Sequence, residues 1–193
     1  MKRIDTELPG VVILEPHVFE DARGYFFESW NAKTLAELGI QAAFVQDNES
    51  FSQYGVIRGL HFQRGNAAQA KLVRVIEGEV LDVAVDIRAG SSTFGRHVAI
   101  RLSGENRRQL FIPRGFAHGF AVLSQTARFA YKCDNFYAPE AEGSVLATDP
   151  ALGIDWRIPQ SDRIFSAKDA RASSWASYCA DPAFGLNEEG GLA

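Results

Sequence analysis

Residues 70–87 read AKLVRVIEGEVLDVAVDI, and apolar and polar side chains largely alternate on both sides of Glu77 and Gly78. A period of two puts alternate side chains on opposite faces of an extended strand, which a helix does not do. Because Glu77 and Gly78 interrupt the alternation, we predict a β-hairpin with strands at residues 70–76 and 79–87.

Similar short alternations recur along the centre of the chain, separated by turn-forming Gly, Pro, Ser and Asn. Strands at such regular spacing are typical of an all-β sandwich or barrel. We therefore expect an all-β sandwich or jelly-roll barrel, with further strands at residues 56–63, 96–102, 108–112, 116–123 and 127–132.

A short helix is expected at roughly residues 32–38. Asn31 has the side chain of an N-cap, and Gly39 can adopt the left-handed conformation that ends helices. This helix should separate an N-terminal strand region at residues 11–29 from a strand at residues 43–48.

The chain has 193 residues, of which 46% are hydrophobic, so it can build one sizeable core. No internal repeat or linker divides it, and we expect a single domain over residues 1–170. Residues 171–193 are rich in Ala, Ser and Gly, which predicts a frayed C-terminal tail.

Charge and hydropathy argue against two classes of protein. Twenty Lys and Arg against 24 Asp and Glu give a net charge of −4, which disfavours nucleic-acid binding through a basic surface. No apolar run is long enough to span a bilayer or to form a secretory signal. We therefore expect a cytoplasmic protein that does not bind membranes.

Four side chains that can carry chemistry share the expected interior. Alternation places His61 and His118 on the inward faces of two strands, and it places Lys71 and Tyr131 among apolar neighbours on two others. An unpaired ammonium or hydroxyl group is costly to bury, so a ligand cavity is the simplest reason for them. In the strand that carries His61, the residues expected to share its face are Ile57, Gly59 and Gln63.

These four side chains can supply a base, an acid and a cation that stabilises an oxyanion. The sequence has no GxSxG motif and no Cys beside a His, so a covalent nucleophile is not expected. Abstraction of a proton next to a carbonyl group fits this inventory best.

A metal-dependent enzyme is one alternative, because the motif PxGxxH at residues 113–118 resembles the pattern of cupin barrels. Metal-binding cupins supply an HxH pair, a Glu and this last His, but here the pair reads HFQ at residues 61–63. Glutamine is a poorer ligand for transition metals than imidazole, so we expect no metal and no cofactor. A cupin that binds a sugar without catalysis is the other alternative.

Longer motifs indicate to which family the chain is similar. They are FxDxRG at residues 19–24, QDN at 46–48, RGLHFQ at 58–63, AKLVR at 70–74, GEVxDVAVDIR at 78–88, IPxGFAHGF at 112–120 and SAKD at 166–169. In this order they resemble the dTDP-4-dehydrorhamnose 3,5-epimerase family, from about residue 4 to residue 169.

The resemblance implies a metal-free cupin-type jelly roll that works as a homodimer. The family's members are isomerases of dTDP-rhamnose and related deoxysugar biosynthesis. They convert dTDP-4-dehydro-6-deoxyglucose to dTDP-4-dehydrorhamnose by inverting C3 and C5 beside the C4 ketone. The resemblance implies that His61 is the base and that Asp169 orients its ring. It makes Tyr131 the acid on the opposite face of the sugar, and it sets Lys71 against the C4 oxygen.

The resemblance also implies residues that bind the nucleotide and the sugar. Arg23 and Glu28, on the N-terminal strands, would reach the pocket of the neighbouring subunit, so that the dimer exchanges these strands. Phe136 and Tyr137 stand where the family places an aromatic residue that stacks on thymine. The remaining positions are Gln46, Asn48, Arg58, His118, Glu142 and Lys168.

Arg58 and His61 pose a geometric problem, because residues an odd number apart point to opposite faces of an unbroken strand. A β-bulge at Gly59 would bring both side chains to one face. Without the bulge, Arg58 would point outward.

Overall fold

The structure is a computed structural model that describes residues 1–185. Its secondary structure is mostly β, and its helices are short. The strands are β1 (Lys2–Asp5), β2 (Val12–Glu15), β3 (Phe19–Asp21), β4 (Gly24–Phe26), β5 (Gln46–Gln53), β6 (Ile57–Gln63), β7 (Lys71–Glu77), β8 (Glu79–Asp86), β9 (Arg88–Ala89), β10 (His97–Ser103), β11 (Gln109–Ile112), β12 (Phe116–Val122), β13 (Thr126–Cys133), β14 (Glu142–Ser144) and β15 (Phe184–Gly185). The α-helices are α1 (Ala32–Glu37) and α2 (Trp175–Ala180), and 3-10 helices lie at Gly65–Ala67, Pro139–Ala141, Pro150–Leu152, Gln160–Asp162 and Asp169–Arg171.

Two antiparallel sheets form a sandwich, which confirms the predicted all-β class. The six-stranded sheet has the order β1-β2-β11-β7-β13-β5, and the five-stranded sheet has the order β10-β8-β12-β6-β14. Apolar side chains fill the space between them, with Val73 and Phe129 from the six-stranded sheet and Val80, Phe116 and Phe120 from the five-stranded sheet. One end of this interior is left for a cavity.

The predicted hairpin at residues 70–87 is wrong in its pairing, although both strands exist. β7 pairs with β11 and β13 in the six-stranded sheet, whereas β8 pairs with β10 and β12 in the five-stranded sheet. Gly78 joins them with φ +81°, and a Cβ there would overlap the carbonyl oxygen of Thr126. The chain therefore turns a corner between the sheets at Gly78. Alternation fixes the two faces of a strand but does not determine its neighbours.

The outer face of the five-stranded sheet is covered by the C-terminal part of the chain. Leu81 and Val83 of β8 belong to a second apolar cluster with Trp156, which is fully buried. Tyr178 of α2 and Phe184 of β15 join this cluster. Both faces of the central strands β8 and β12 are therefore buried, which makes them a rigid support for the side chains that they carry.

The predicted frayed tail is wrong for residues 171–185. α2 begins after Ser174, whose hydroxyl accepts a hydrogen bond from the backbone N–H of Ser177, and β15 pairs with β9. Burial of aromatic side chains outweighs the Ala, Ser and Gly content that suggested fraying. The rest of that prediction, residues 186–193, lies outside the described residues.

α1 confirms the predicted helix and its N-cap. The Asn31 side chain accepts hydrogen bonds from the backbone N–H groups of Lys33 and Thr34, and Gly39 follows with φ +81°. The strand predicted at residues 43–48 corresponds to β5, which begins at Gln46 and ends at Gln53. β5 is an edge strand whose sequence is almost entirely polar, so no apolar alternation marks its bounds. Between residues 1 and 185, no helix is both long and apolar enough to cross a membrane.

Candidate active site

A cavity of about 430 Å³ lies between the two sheets, beside the apolar core. β6 and β12 form its wall on the five-stranded sheet, and β5, β7 and β13 form its wall on the six-stranded sheet. It is lined by all four predicted catalytic residues, His61, Lys71, Tyr131 and Asp169. Four predicted binding residues also line it: Asn48, Arg58, His118 and Lys168.

A bulge in β6 turns Arg58 and His61 toward this cavity. Opposite β12, His61 pairs with His118 and Arg58 pairs with Phe120, so three steps along β6 match two steps along β12. Gly59, within the bulge, has φ +123°, a conformation that favours glycine. The predicted bulge is therefore confirmed.

The same bulge corrects the predicted face of His61. Ile57 does not share that face, because it packs in the outer apolar cluster with Leu60. A Cβ at Gly59 would lie 2.5 Å from Cα of Gly119 on β12, so the two backbones approach closely here. Simple alternation fails at this point because the extra residue reverses the faces of the strand on its N-terminal side.

His61 and Asp169 form a hydrogen-bonded pair at the cavity wall. Nε2 of His61 lies 2.6 Å from Oδ1 of Asp169, and the Ser166 hydroxyl donates to Oδ2 at 2.6 Å. Burial opposes ionisation of Asp169, but the hydrogen bonds from His61 and Ser166 outweigh it and lower the pKa of the carboxyl group. The carboxylate is thus charged at neutral pH and fixes the orientation of the imidazole.

Lys71 and Tyr131 line the opposite wall, on the six-stranded sheet. The Lys71 Nζ lies 6.0 Å from the centre of the Tyr131 ring. Burial lowers the pKa of Lys71, although the charges of Asp82 and Glu142 oppose that shift. Burial raises the pKa of the Tyr131 phenol, which therefore keeps its proton at neutral pH. A hydroxyl donor and an amino group thus face the imidazole across the cavity.

His118 forms a second and deeper histidine–aspartate pair. Its Nε2 lies 3.0 Å from Oδ2 of Asp82, and both side chains are buried. Burial lowers the pKa of His118 against the attraction of Asp82. Sequence reasoning missed Asp82, although a charged residue between Val80 and Ala84 on the inward face of β8 was a usable signal.

Lys168, which lines the cavity, is linked to two polar side chains that lie outside its lining, and two aromatic rings of the same part of the chain stay exposed. The Tyr137 hydroxyl donates to Oε2 of Glu142 at 2.9 Å, and Nζ of Lys168 lies 2.5 Å from the same oxygen. Burial would raise the pKa of Glu142, but these contacts lower it. Gln46 accepts the backbone N–H of Tyr137 at 2.9 Å. The rings of Phe136 and Tyr137 are 66% and 53% exposed, so a flat ligand can stack on either.

Neighbours on β5 and β13 orient two more predicted binding residues. Arg58 donates to the hydroxyl of Ser52 at 3.1 Å, and Nδ2 of Asn48 lies 3.8 Å from Sγ of Cys133. Ser50, which the sequence analysis did not single out, also lines the cavity. Its buried hydroxyl has no hydrogen-bond partner within residues 1–185, so a ligand can supply one.

Arg23 and Glu28 lie away from this cavity. Arg23 projects from the β3–β4 hairpin and forms an ion pair with Asp21, with 90% of its side chain exposed. Glu28 accepts hydrogen bonds from Asn31 and Thr34 at the start of α1. A single chain therefore does not bring these two predicted binding residues to the site.

Gln63 stands at the position where metal-binding cupins have their second histidine. It is buried, and its amide nitrogen donates to the backbone carbonyls of Ala67 and Phe136. Over the described part of the chain, no three His, Cys, Asp or Glu side chains are grouped so that they could hold a metal ion.

Comparison with known proteins gives the same family at the level of sequence. The model of the family described as dTDP-4-dehydrorhamnose 3,5-epimerase matches residues 5–177. The dTDP-4-dehydrorhamnose 3,5-epimerase of Salmonella typhimurium is 58% identical over 170 residues, which are 88% of this chain and 92% of that protein.

Comparison with solved structures gives the same family. The crystal structure of dTDP-4-dehydrorhamnose 3,5-epimerase from Elizabethkingia anophelis superposes with a TM-score of 0.88 at 56% identity, over 92% of this chain and 97% of that chain. The dTDP-6-deoxy-D-glucose-3,5-epimerase from Legionella pneumophila, in complex with dTDP-4-keto-L-rhamnose, has a TM-score of 0.86 at 53% identity. That match covers 90% of this chain and 92% of the other.

Proposed function

This chain belongs to the dTDP-4-dehydrorhamnose 3,5-epimerase family, and on that premise we propose how its side chains divide the work of the reaction. It is an isomerase of a nucleotide sugar, and it inverts C3 and C5 of dTDP-4-dehydro-6-deoxyglucose. Both carbons flank the C4 ketone, so removal of either hydrogen gives an enolate. Return of a proton from the other side of the ring inverts the centre.

His61 is the base in this proposal. Asp169 accepts a hydrogen bond from Nε2, which leaves the lone pair of Nδ1 free to take a proton from carbon. When the imidazole becomes charged, the adjacent carboxylate stabilises it. Asp169 therefore acts through His61 and does not itself exchange protons with the sugar.

Tyr131 is the acid, and the observation that carries the proposal is its position. His61 belongs to the five-stranded sheet and Tyr131 to the six-stranded sheet, yet both line one cavity. A sugar ring held between them would present one face to each. Lys71, on the wall of Tyr131, is assigned to the C4 oxygen, where a cation stabilises the developing charge most strongly in a site shielded from water.

The binding residues group by chemistry. We assign the exposed rings of Phe136 and Tyr137 to the thymine base. The diphosphate suits the fork of Arg58, supported by Lys168. The other residues that we assign to nucleotide and sugar are Gln46, Asn48, His118 and Glu142.

We further propose that the working unit is a homodimer in which Arg23 and Glu28 complete the partner's pocket. The hairpin that carries Arg23 pairs only with itself among the described residues. It also exposes Phe19 and Phe26, at 60% and 70%, which is an unusual amount of aromatic surface for a free hairpin. The cytoplasmic location stays a prediction.

Replacing Tyr131 with phenylalanine tests the separation of acid and base. Because a general acid contributes about a hundred- to ten-thousandfold, inverted product should fall by roughly that factor. His61 can still remove a proton and return a solvent deuteron to the same face. NMR in deuterated buffer should therefore show that exchange without inversion increases relative to exchange with inversion. An unchanged ratio in Tyr131→Phe would reduce Tyr131 to a residue that positions the sugar.

A further inference from the structure

Gln63 makes three hydrogen bonds with its side chain, and none of them is to a group assigned to catalysis. Its amide nitrogen donates to the carbonyl oxygens of Ala67 at 2.6 Å and of Phe136 at 3.1 Å. Its amide oxygen accepts the backbone N–H of Ala138 at 2.7 Å. The side chain is 4% exposed, so these bonds form where water competes poorly.

Two of these bonds fix the backbone on either side of Tyr137. The segment 136–138 has little packing of its own, because the rings of Phe136 and Tyr137 are more than half exposed. Its other polar contacts are the bonds from Tyr137 to Gln46 and to Glu142, and two local bonds, from the Phe136 N–H to the Asn135 side chain and from the Ala141 N–H to the Ala138 carbonyl. Gln63 is therefore a buried side chain that holds this exposed aromatic segment at two backbone positions.

We propose that Gln63 is a positioning residue for recognition of the nucleotide base. It holds residues 136–138 so that the ring of Phe136 or Tyr137 is already in place when a thymine nucleotide binds. An aromatic residue held in its bound position loses less conformational entropy on binding, which strengthens affinity without a new contact. This inference rests on the proposed role of the two aromatic rings.

The chemistry of the side chain explains why an amide is suited to this place. The backbone presents two carbonyl acceptors and one N–H donor to one buried side chain. A carboxylate would keep the acceptor, but it would turn an oxygen toward two carbonyl oxygens. A thioether would keep the length of the side chain and lose all three bonds. Glutamate and methionine substitutions therefore remove the attachment in two different ways.

The test compares Gln63→Glu and Gln63→Met with the parent enzyme. Calorimetry would measure the dissociation constants of dTDP and of inorganic pyrophosphate, and steady-state assays would give kcat and KM for the 4-keto sugar nucleotide. Tyr178→Phe is the matched control, because it also removes buried hydrogen bonds, between its hydroxyl and the Ile87 carbonyl and Ala183 N–H, and neither of them involves residues 136–138. Phe136→Ala and Tyr137→Ala report separately on the role of the rings.

We expect dTDP binding to weaken by roughly ten- to a hundredfold in both Gln63 variants, the factor that corresponds to losing buried hydrogen bonds. Pyrophosphate affinity and kcat at saturation should stay within about threefold of the parent, since neither depends on the base. An unchanged dTDP affinity, or equal losses for dTDP and pyrophosphate, would overturn the inference. If Phe136→Ala and Tyr137→Ala both leave dTDP affinity unchanged, the proposed role of the rings fails first.

Hydrogen exchange in the parent protein tests the same attachment without depending on the folding of a variant. The Ala138 amide should be protected although it lies outside any strand, because its N–H donates a hydrogen bond to the buried Gln63 side chain. Exchange of this amide at the rate of an unprotected loop would contradict the proposal.

Discussion

His61 is the side chain on which the proposed proton transfer depends most, because no second imidazole in the cavity is placed to replace it. The other one, His118, is buried against Asp82. His61→Asn should reduce deuterium exchange at both C3 and C5 by about a hundred- to ten-thousandfold, the usual contribution of a general base. The dissociation constant for dTDP should stay near that of the parent. Exchange within tenfold of the parent at either carbon would exclude His61 as the shared base.

The burial of the Lys71 amino group predicts a trade-off between activity and stability. Burial lowers its pKa in the folded chain, so folding disfavours the charged form, and the penalty is present at every pH below the folded pKa. Lys71→Met should therefore inactivate the enzyme but raise the free energy of unfolding by about 0.5–2 kcal/mol at pH 7.

The gain in the free energy of unfolding for Lys71→Met should depend on pH. The gain in stability for Lys71→Met should shrink as the pH rises through the folded pKa toward the ordinary lysine value of 10.5, where the unfolded chain also loses its proton. Urea unfolding at several pH values measures it. Lys132→Met is the control, since Lys132 pairs with Asp47 at the surface. A stability loss for Lys71→Met at pH 7 would contradict the account.

Among single residues, the sequence predicted those that line the cavity better than those that support them. His61 and Tyr131 carry chemistry in their side chains and stand in strands that the sequence pattern identifies, although the bulge in β6 breaks the alternation beside His61. Ser166 and Asp82 act only through a neighbour, and a contact between distant strands or loops leaves no periodic pattern. The sequence does not indicate a positioning role for Gln63, because its backbone partners become visible only in the folded chain.

At the scale of elements, the bulge in β6 makes a prediction that separates two physical effects. Gly59 and Gly24 have nearly the same φ, +123° and +125°, but only Gly59 has a neighbouring backbone where a Cβ would go. Gly24→Ala should cost about 1–3 kcal/mol of strain, and Gly59→Ala should cost about 1–3 kcal/mol more from the overlap with Gly119. Chemical denaturation of both variants gives the comparison, and equal losses would show that the close approach is unimportant.

Elements were predicted well where a strand has one apolar face and poorly where its environment is mixed. The alternation in β7 and β8 identified two strands, but β8 is buried on both faces, and its partners come from distant parts of the chain. The bounds of β5 were predicted only in part, because one of its faces lines the polar cavity and the other is solvated. α1 was found because its cap is a local signal that depends on Asn31 alone.

For the whole molecule, the proposed exchange of N-terminal strands between subunits predicts complementation between two inactive variants. Arg23→Ala and His61→Asn should each be inactive, or nearly so, as homodimers. A heterodimer of the two, purified through two different tags, would contain one site with both residues intact if Arg23 serves the partner's cavity. It should then retain about half the activity of the parent dimer. An inactive heterodimer would mean that each site uses the Arg23 of its own chain.

We propose that one enzyme inverts both carbons beside the ketone, through a base and an acid on opposite walls of one cavity. The most direct measurement is a time course of proton NMR spectra of dTDP-4-dehydro-6-deoxyglucose with the parent enzyme in deuterated buffer. We expect one solvent deuteron to appear at C3 and one at C5, and the product with deuterium at both carbons to have the rhamno configuration. Exchange and inversion at only one of the two carbons, or exchange at both without inversion, would contradict the account.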